Sequence, residues 1–257
     1  MTEMTLERPA RFATPSATVA ATATADTVPS PCAIVELRRY TLHPGRRDTL
    51  IELFDREFVH TQEDCGMRVL GQFRDLDEPD AFVWLRGFRS MAERCASLNA
   101  FYGGPVWRRH REAANATMQD SSDVLLLRNV QTAATHATRP GMLLAMVCSL
   151  DTPATPLLVH RFEHEVRPCL VAAGMEVQAV LMTEHAANDF PALPVRTDTE
   201  AFVWICRFDD PAHQQACAER LFASPIWRDA VWPRWLSQLR SPPQMFRLQP
   251  TAASAWR

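Results

Sequence analysis

The sequence predicts an α+β protein made of two tandem ferredoxin-like βαββαβ units, and two observations carry that prediction. The first is an internal repeat. Residues 81–107, AFVWLRGFRSMAERCASLNAFYGGPVW, return without a gap at 201–227 as AFVWICRFDDPAHQQACAERLFASPIW. Ala-Phe-Val-Trp opens each copy, and Pro-x-Trp closes each at Trp107 and Trp227. Upstream, Phe54-x-x-Glu57 recurs as Phe162-x-x-Glu165 and Gly66-Met67 as Gly174-Met175, at a spacing of 108 (162 − 54). The longer repeat is spaced by 120 (201 − 81), so the second unit carries 12 additional residues (120 − 108), assigned to the polar, Pro-containing stretch 183–199. The second observation is that each copy shows the same succession of period-2 and period-3.6 hydrophobic patterns.

In the first unit, residues 34–42 read as a strand stopped by His43-Pro44-Gly45. Residues 47–64 read as an amphipathic helix carrying Leu50, Leu53, Phe54 and Phe58, and Gly66 terminates it. Strands at 69–74 and 82–88 flank the acidic turn 75–80 and form a hairpin. Ser90 caps a helix interrupted by Gly103-Gly104-Pro105, a second piece runs from 106 to about 115, and residues 124–130 form the last strand. The second unit repeats the order: strand 142–150, helix 155–172, strand 175–183, strand 201–208, helices 211–222 and 227–239, and strand 245–248. βαββαβ is the ferredoxin-like succession. The chain divides into an N-terminal extension (1–31), unit 1 (32–130), a linker (131–140), unit 2 (141–250) and a tail (251–257).

Composition removes whole classes of function. All 27 basic residues are arginine, so Schiff-base chemistry and a P-loop lysine are excluded. The eight glycines form neither GxGxxG nor a P-loop. A net charge of −3 gives no nucleic-acid footprint, and no stretch approaches the ~18 apolar residues of a membrane span. Seven cysteines, odd in number and without CxxC, read as reduced thiols of a cytoplasmic protein. Residues 1–31, rich in Ala, Thr and Pro, lack the basic start and apolar run of a secretory signal and read as disordered.

Several motifs occur in order across unit 1: ELRRYTLHPG from Glu36, the Leu53-Phe54 helix, Leu70-Gly71-Gln72-Phe73, Phe82-Val83-Trp84, and FYGGPVWRRHREAANATMQDSSDVLLLR from Phe101. In these the chain resembles bacterial members of the NIPSNAP family. Unit 2 departs from the pattern, with Leu144, Met146 and Cys148 in the places of Glu36, Arg38 and Tyr40. The resemblance implies a dimeric α/β barrel, here closed within one chain as a pseudodimer. Related barrels include small monooxygenases of antibiotic biosynthesis and haem proteins, and eukaryotic relatives suggest scaffold roles. No single reaction follows from the fold.

Strand alternation puts Glu36, Arg38 and Tyr40 on one face, and Phe82, Trp84 and Arg86 on one face of theirs. These are expected to face the barrel interior, with Val35, Leu37, Val83 and Leu85 beneath the helices. The unit 2 equivalents are Met146, Cys148, Trp204 and Cys206, so the expected cavity is polar on one side and apolar, lined by adaptable sulfur side chains, on the other. Glu57 and His110 are further proton-transfer candidates. The expected activity is a cofactor-independent oxygenation, isomerisation or elimination on an amphiphilic biosynthetic intermediate. In it Arg38 and Arg86 hold an oxygen-bearing group, Tyr40 or His110 moves a proton, and Glu36 and Glu57 complete the catalytic candidates. Trp84, Phe82, Met146, Cys148, Trp204 and Cys206 hold the apolar body. The competing readings are a salt-bridge ladder without catalysis, a binding or scaffold protein, and a haem or metal enzyme ligated through His160 and His164, the one histidine pair at i,i+4. Further homodimerisation stays open.

Overall fold

A computed structural model of the chain describes residues 32–132 and 141–257; the N-terminal extension and most of the linker lie outside the described residues. Unit 1 comprises β1 (Ile34–Leu42), α1 (Arg47–Leu53), α2 (Val59–Asp64), β2 (Arg68–Asp75), β3 (Ala81–Phe88), α3 (Met91–Tyr102), α4 (Pro105–Asn115) and β4 (Met118–Thr132). Unit 2 comprises β5 (Met142–Leu150), α5 (Pro156–Arg161), α6 (Arg167–Ala172), β6 (Glu176–Thr183), β7 (Glu200–Phe208), α7 (Pro211–Ala223), α8 (Trp232–Leu236) and β8 (Gln244–Pro250).

The helix boundaries follow local chemistry. Ser90 Oγ accepts the amide of Glu93 (3.2 Å) and Asp210 Oδ1 that of His213 (2.7 Å), so both halves of the repeat start this helix with a side-chain cap. Gly66 and Gly174 end the preceding helices with φ of 90° each, a left-handed conformation that glycine adopts without strain. One turn of π-helix joins α1 to α2 at Phe54–Phe58 and α5 to α6 at Phe162–Val166. The duplication has kept this irregularity in register along with the residues that make it.

Each unit forms a four-stranded antiparallel sheet, β4-β1-β3-β2 and β8-β5-β7-β6. The sheets join edge to edge into a closed eight-stranded barrel. One seam pairs β4 with β6, from Leu127↔Thr183 to Thr132↔Ala179. The other pairs β2 with β8 from Phe73↔Pro250 to Asp75↔Leu248, and residues 251–257 continue it: the amides of Thr251 and Trp256 donate to the carbonyls of Gln72 (2.9 Å) and Leu70 (3.0 Å). The expected tail is therefore part of the fold, and buried Trp256 packs into the barrel interior.

Three apolar clusters reveal the layers. One joins strands of both units, with Val35, Leu37, Val83 and Leu85 meeting Leu143, Ala145, Val147, Leu181, Val203 and Ile205. It fills the barrel. The other two lie between each sheet and its helices and hold Tyr40, Phe54, Phe82 and Trp84 in unit 1, and Cys148, Phe162, Trp204 and Trp235 in unit 2.

This arrangement corrects the expected facing of the strands. Glu36, Arg38, Tyr40, Phe82, Trp84 and Arg86 do share a layer, but it is the layer beneath the helices, and the barrel interior is packed with aliphatic side chains. The same holds in unit 2 for Leu144, Cys148, Phe202, Trp204 and Cys206. An eight-stranded barrel is just wide enough for its own side chains, so small and β-branched residues suit its inside. Arg38, Arg86, Trp84 and Trp204 occupy the deeper space that the helices create.

Candidate functional site

The site grows from two neighbouring strands. In the β1–β3 ladder Glu36 lies opposite Arg86, Arg38 opposite Trp84, and Tyr40 opposite Phe82. Above this row, α1 and the π turn supply Phe54 and Phe58, α2 supplies Gln62, α3 supplies Arg94, Phe101 and Tyr102, and α4 supplies Trp107 and Ala114.

Glu36 is fully buried and carries three guanidiniums. Its Oε2 accepts Arg38 Nη1 (2.7 Å) and Arg86 Nε (2.8 Å), and its Oε1 accepts Arg94 Nε (2.7 Å). Burial alone would raise the Glu36 pKa, but Arg86, Arg38 and Arg94 together outweigh it and hold the carboxyl well below the ordinary carboxylate range. Arg94 Nη1 also reaches Asp189 Oδ1 (2.5 Å) and Asn188 Oδ1 (3.1 Å). Three arginines against Glu36 and Asp189 leave a formal charge of +1 (3 − 2) in a water-poor interior.

That positive charge is directed at two phenols. Arg38 Nε donates to Tyr40 Oη (2.9 Å); Arg86 Nη1 donates to Gln62 Oε1 (3.1 Å) and, at 3.5 Å, to Tyr102 Oη. Burial raises the Tyr40 pKa more than Arg38 lowers it, so the group is a neutral proton donor at physiological pH. Burial would lower the Arg38 pKa, yet Tyr40 and Glu36 raise it on balance, and the guanidinium stays charged. The Arg38 guanidinium lies 5.6 Å from the ring centres of Tyr40 and Trp84, and that of Arg86 lies 5.1 Å from Trp84. Among the described residues, Trp84 Nε1 and Arg94 Nη2 have no hydrogen-bond acceptor. Arg86 Nη2 sits 2.7 Å from Glu36 Oε2 but outside hydrogen-bond angle.

Beside this cluster is a narrow cavity of about 30 Å³, room for one or two waters. Tyr40, Gln62, Trp84, Tyr102, Trp107 and Ala114 are among the residues that line it. Glu57 and His110 stand apart from it. His110 Nε2 is 3.6 Å from Glu57 Oε2 on the helix surface, and Glu57 is a half-buried carboxylate whose pKa is lowered by its hydrogen bond from Arg56 and by His110.

Unit 2 keeps the frame and loses the chemistry. Phe162 touches Phe202 (5.2 Å) and Trp204 (5.4 Å), as Phe54 touches Phe82 (5.4 Å) and Trp84 (4.8 Å). Trp235 enters this cluster, 5.3 Å from Phe202 and 5.6 Å from Trp204, and its Nε1 donates to Cys148 Sγ (3.5 Å). Burial pushes the thiols of Cys148 and Cys206 up to about 12, which makes them apolar filler. Met146 is only partly buried, opposite Met245 of β8. His160 and His164 face one another at 4.1 Å on the exposed side of their helix, and no described group of three or more His, Cys, Asp or Glu could hold a metal.

Arg94, Gln62, Tyr102, Asp189 and Phe190 escaped the sequence reading. The repeat held a signal for the first three, whose counterparts are Gln214, Leu170 and Phe222. Every polar member of the cluster has lost its function or charge in the second copy.

No helix among the described residues is long and apolar enough to cross a membrane. No curated protein matches the sequence. Among solved structures, the fold is similar to a "putative monooxygenase" of Lactobacillus acidophilus NCFM, at TM-score 0.54 and 12% identity, covering 87% of this chain and 96% of that one. It is also similar to an anthrone oxidase-like protein, at TM-score 0.54 and 13% identity, covering 85% and 91%. A protein of Fusobacterium nucleatum with the same description as the first gives TM-score 0.55 at 6% identity, over 84% and 91%. These likenesses establish a two-unit barrel over nearly the whole chain. Residues 35–131 match the NIPSNAP family model, and this match spans the half of the barrel that holds the buried charge cluster.

Proposed function

We propose that unit 1 is the active half of a small-molecule enzyme whose substrate becomes an oxygen anion during the reaction. The observation behind this is the unit 1 cavity between sheet and helices, walled by aromatics and backed by an uncompensated positive charge. A buried cation excess lowers the energy of a phenolate or enolate, and Tyr40, hydrogen-bonded to Arg38, can hand a proton to it or take one back. Trp84, Phe54 and Trp107 suit a planar aromatic body.

Of the reactions open to such an anion, cofactor-independent oxygenation is the first choice, supported by the names of the structurally similar proteins. Loss of a C–H proton gives an enolate, whose carbon gives up an electron pair to O₂. The resulting hydroperoxide loses its remaining C–H proton and breaks its O–O bond, leaving a ketone and water. Isomerisation and elimination share the first step.

The test is oxygen uptake with anthrone as substrate, with product oxygen traced by ¹⁸O₂. Arg38→Ala is expected to abolish turnover and Tyr40→Phe to reduce it by roughly 10²–10⁴-fold, the range of general acid–base catalysis. Full turnover in both variants would sink the assignment, and a haem absorption band in the purified protein would overturn its cofactor-independent part. A second reading, a binding or scaffold protein, draws on the filled barrel and on a surface groove of about 540 Å³ between α6 and α7–α8, bordered by exposed Ile226. Failure of every small anion to bind, with retention of a partner through that groove, would favour it.

A further inference from the structure

We infer that the extra segment of unit 2 is the gate and specificity wall of the unit 1 site, and that it admits an aromatic anion; this rests on the reading of that site just given. The segment leaves β6 at Thr183 and rejoins β7 at Glu200, yet it crosses onto unit 1. Its ends are tied to β4, where the amide of Glu184 donates to the Leu126 carbonyl (3.0 Å) and that of Arg196 to the Val124 carbonyl (2.8 Å). Between those ties it has no regular secondary structure and no fully buried residue.

What holds the middle is specific to the site. Asp189 and Asn188 take Arg94, the one arginine of the cluster that reaches out of it. The Asp189 carbonyl accepts Cys95 Sγ (3.3 Å), and Phe190 stacks on Tyr102 at 5.8 Å and 29°. Tyr102 is a cavity wall, and Phe190 covers its outer side. A cavity that holds one or two waters must widen to take an organic substrate. The wall that meets the segment is Tyr102, which takes a 3.5 Å bond from Arg86, packs edge-on against Trp107 at 4.9 Å and stacks on Phe190.

Charge adds selectivity to this mobility. With the segment seated, the cluster carries +1; lifting Asp189 away leaves three arginines against Glu36 alone, +2 (3 − 1). An incoming anion restores the balance, and a neutral molecule does not. Asp189 and the ligand's anionic group therefore compete for one positive field, and Phe190 and the ligand's ring compete for Tyr102.

Titration calorimetry with 2-naphthoate and its uncharged analogue 2-naphthamide tests this on the full chain. Phe190→Ala, which loosens the wall, is expected to bind both probes about 10-fold more tightly than wild type, because the binding-competent population rises. Asp189→Asn is expected to tighten naphthoate more than naphthamide. Ala114→Trp, which places an indole in the cavity that Ala114 lines, is expected to abolish binding. Alkylation of Cys95 by iodoacetamide, located by mass spectrometry, should accelerate in Asp189→Asn without any ligand. Wild-type behaviour of both segment variants, equal gains for amide and acid in Asp189→Asn, or no naphthoate binding at all would overturn the gate. Binding that survives Ala114→Trp would instead remove the site; loss in Ala114→Trp with indifferent segment variants would remove the gate alone.

Discussion

Unit 1 and unit 2 are built on one frame and put it to opposite uses. Phe54, Phe82 and Trp84 stack as Phe162, Phe202 and Trp204 do, and the same glycine stops and π turns recur. Over that frame unit 1 places Glu36 with three arginines and leaves a cavity, whereas unit 2 places leucine, methionine and cysteine and packs Trp235 against Phe202 and Trp204. The shared residues specify the fold; the residues that differ specify the site. A homodimer must repeat each feature twice, but a fused pair can concentrate chemistry in one half and give the other a supporting role, here the segment that reaches across to Arg94.

The largest effect should come from breaking the cluster by halves. Glu36→Leu installs the unit 2 residue but leaves three buried guanidiniums facing one another, and is expected to cost about 3–5 kcal/mol in urea unfolding, the range for breaking a buried ion pair. Converting the whole set, Glu36→Leu with Arg38→Met, Arg86→Cys and Arg94→Gln, should recover most of that loss, since replacing a complete buried ion cluster by apolar groups is often neutral. If the quadruple variant is no more stable than the single one, the four residues do not act as a unit and the comparison with unit 2 fails.

Next comes the filler on the other side. Trp235→Ala should cost about 3–5 kcal/mol by leaving a cavity among Phe162, Phe202 and Trp204. Equal unfolding of wild type and Trp235→Ala would show that unit 2 does not depend on being filled.

A smaller, pH-dependent difference follows from Glu36. Its folded pKa lies below the unfolded value of about 4.3, so its contribution is fully present above that pH and fades as pH falls towards the folded pKa. Between pH 4.5 and 2.5 the quadruple variant, lacking this carboxyl, should lose stability less steeply than wild type, by up to about 1.4 kcal/mol per pH unit. Parallel acid profiles would mean that Glu36 is not ionised against its arginines.

Much of this was legible in the residues. The repeat, the helix caps and the glycine stops gave the order of the elements, because each is a local device with a local signature, although β4 starts at Met118 rather than 124 and the helix expected over 227–239 is a π turn followed by α8. Alternation also placed Glu36, Arg38, Tyr40, Trp84 and Arg86 together. It could not say which side of the sheet they occupy, since both faces of β1 and β3 are buried and each is continuous with a core. Asp189 and Phe190 were out of reach for another reason: their partners lie about ninety residues away on another unit, and an irregular segment carries no periodicity from which to place it.

The least effect is expected at the weaker of the two seams. β4 and β6 are backed by the crossing segment, while β2 and β8 share three register pairs and an ion pair, Arg247 Nε to Asp77 Oδ2 at 2.9 Å. The side chains are 37% and 48% exposed, so solvent screens the attraction, and Asp77→Asn should cost only about 0.2–1 kcal/mol. The backbone bonds from Leu76 to Arg247 and from Thr251 and Trp256 to the β2 carbonyls should keep the barrel closed without it. Amide exchange at Leu248 and Thr251 reads this directly: protection close to wild type is expected. A large loss there with little change at Leu181 would show that the exposed pair, rather than the continued backbone pairing and buried Trp256, holds the second seam.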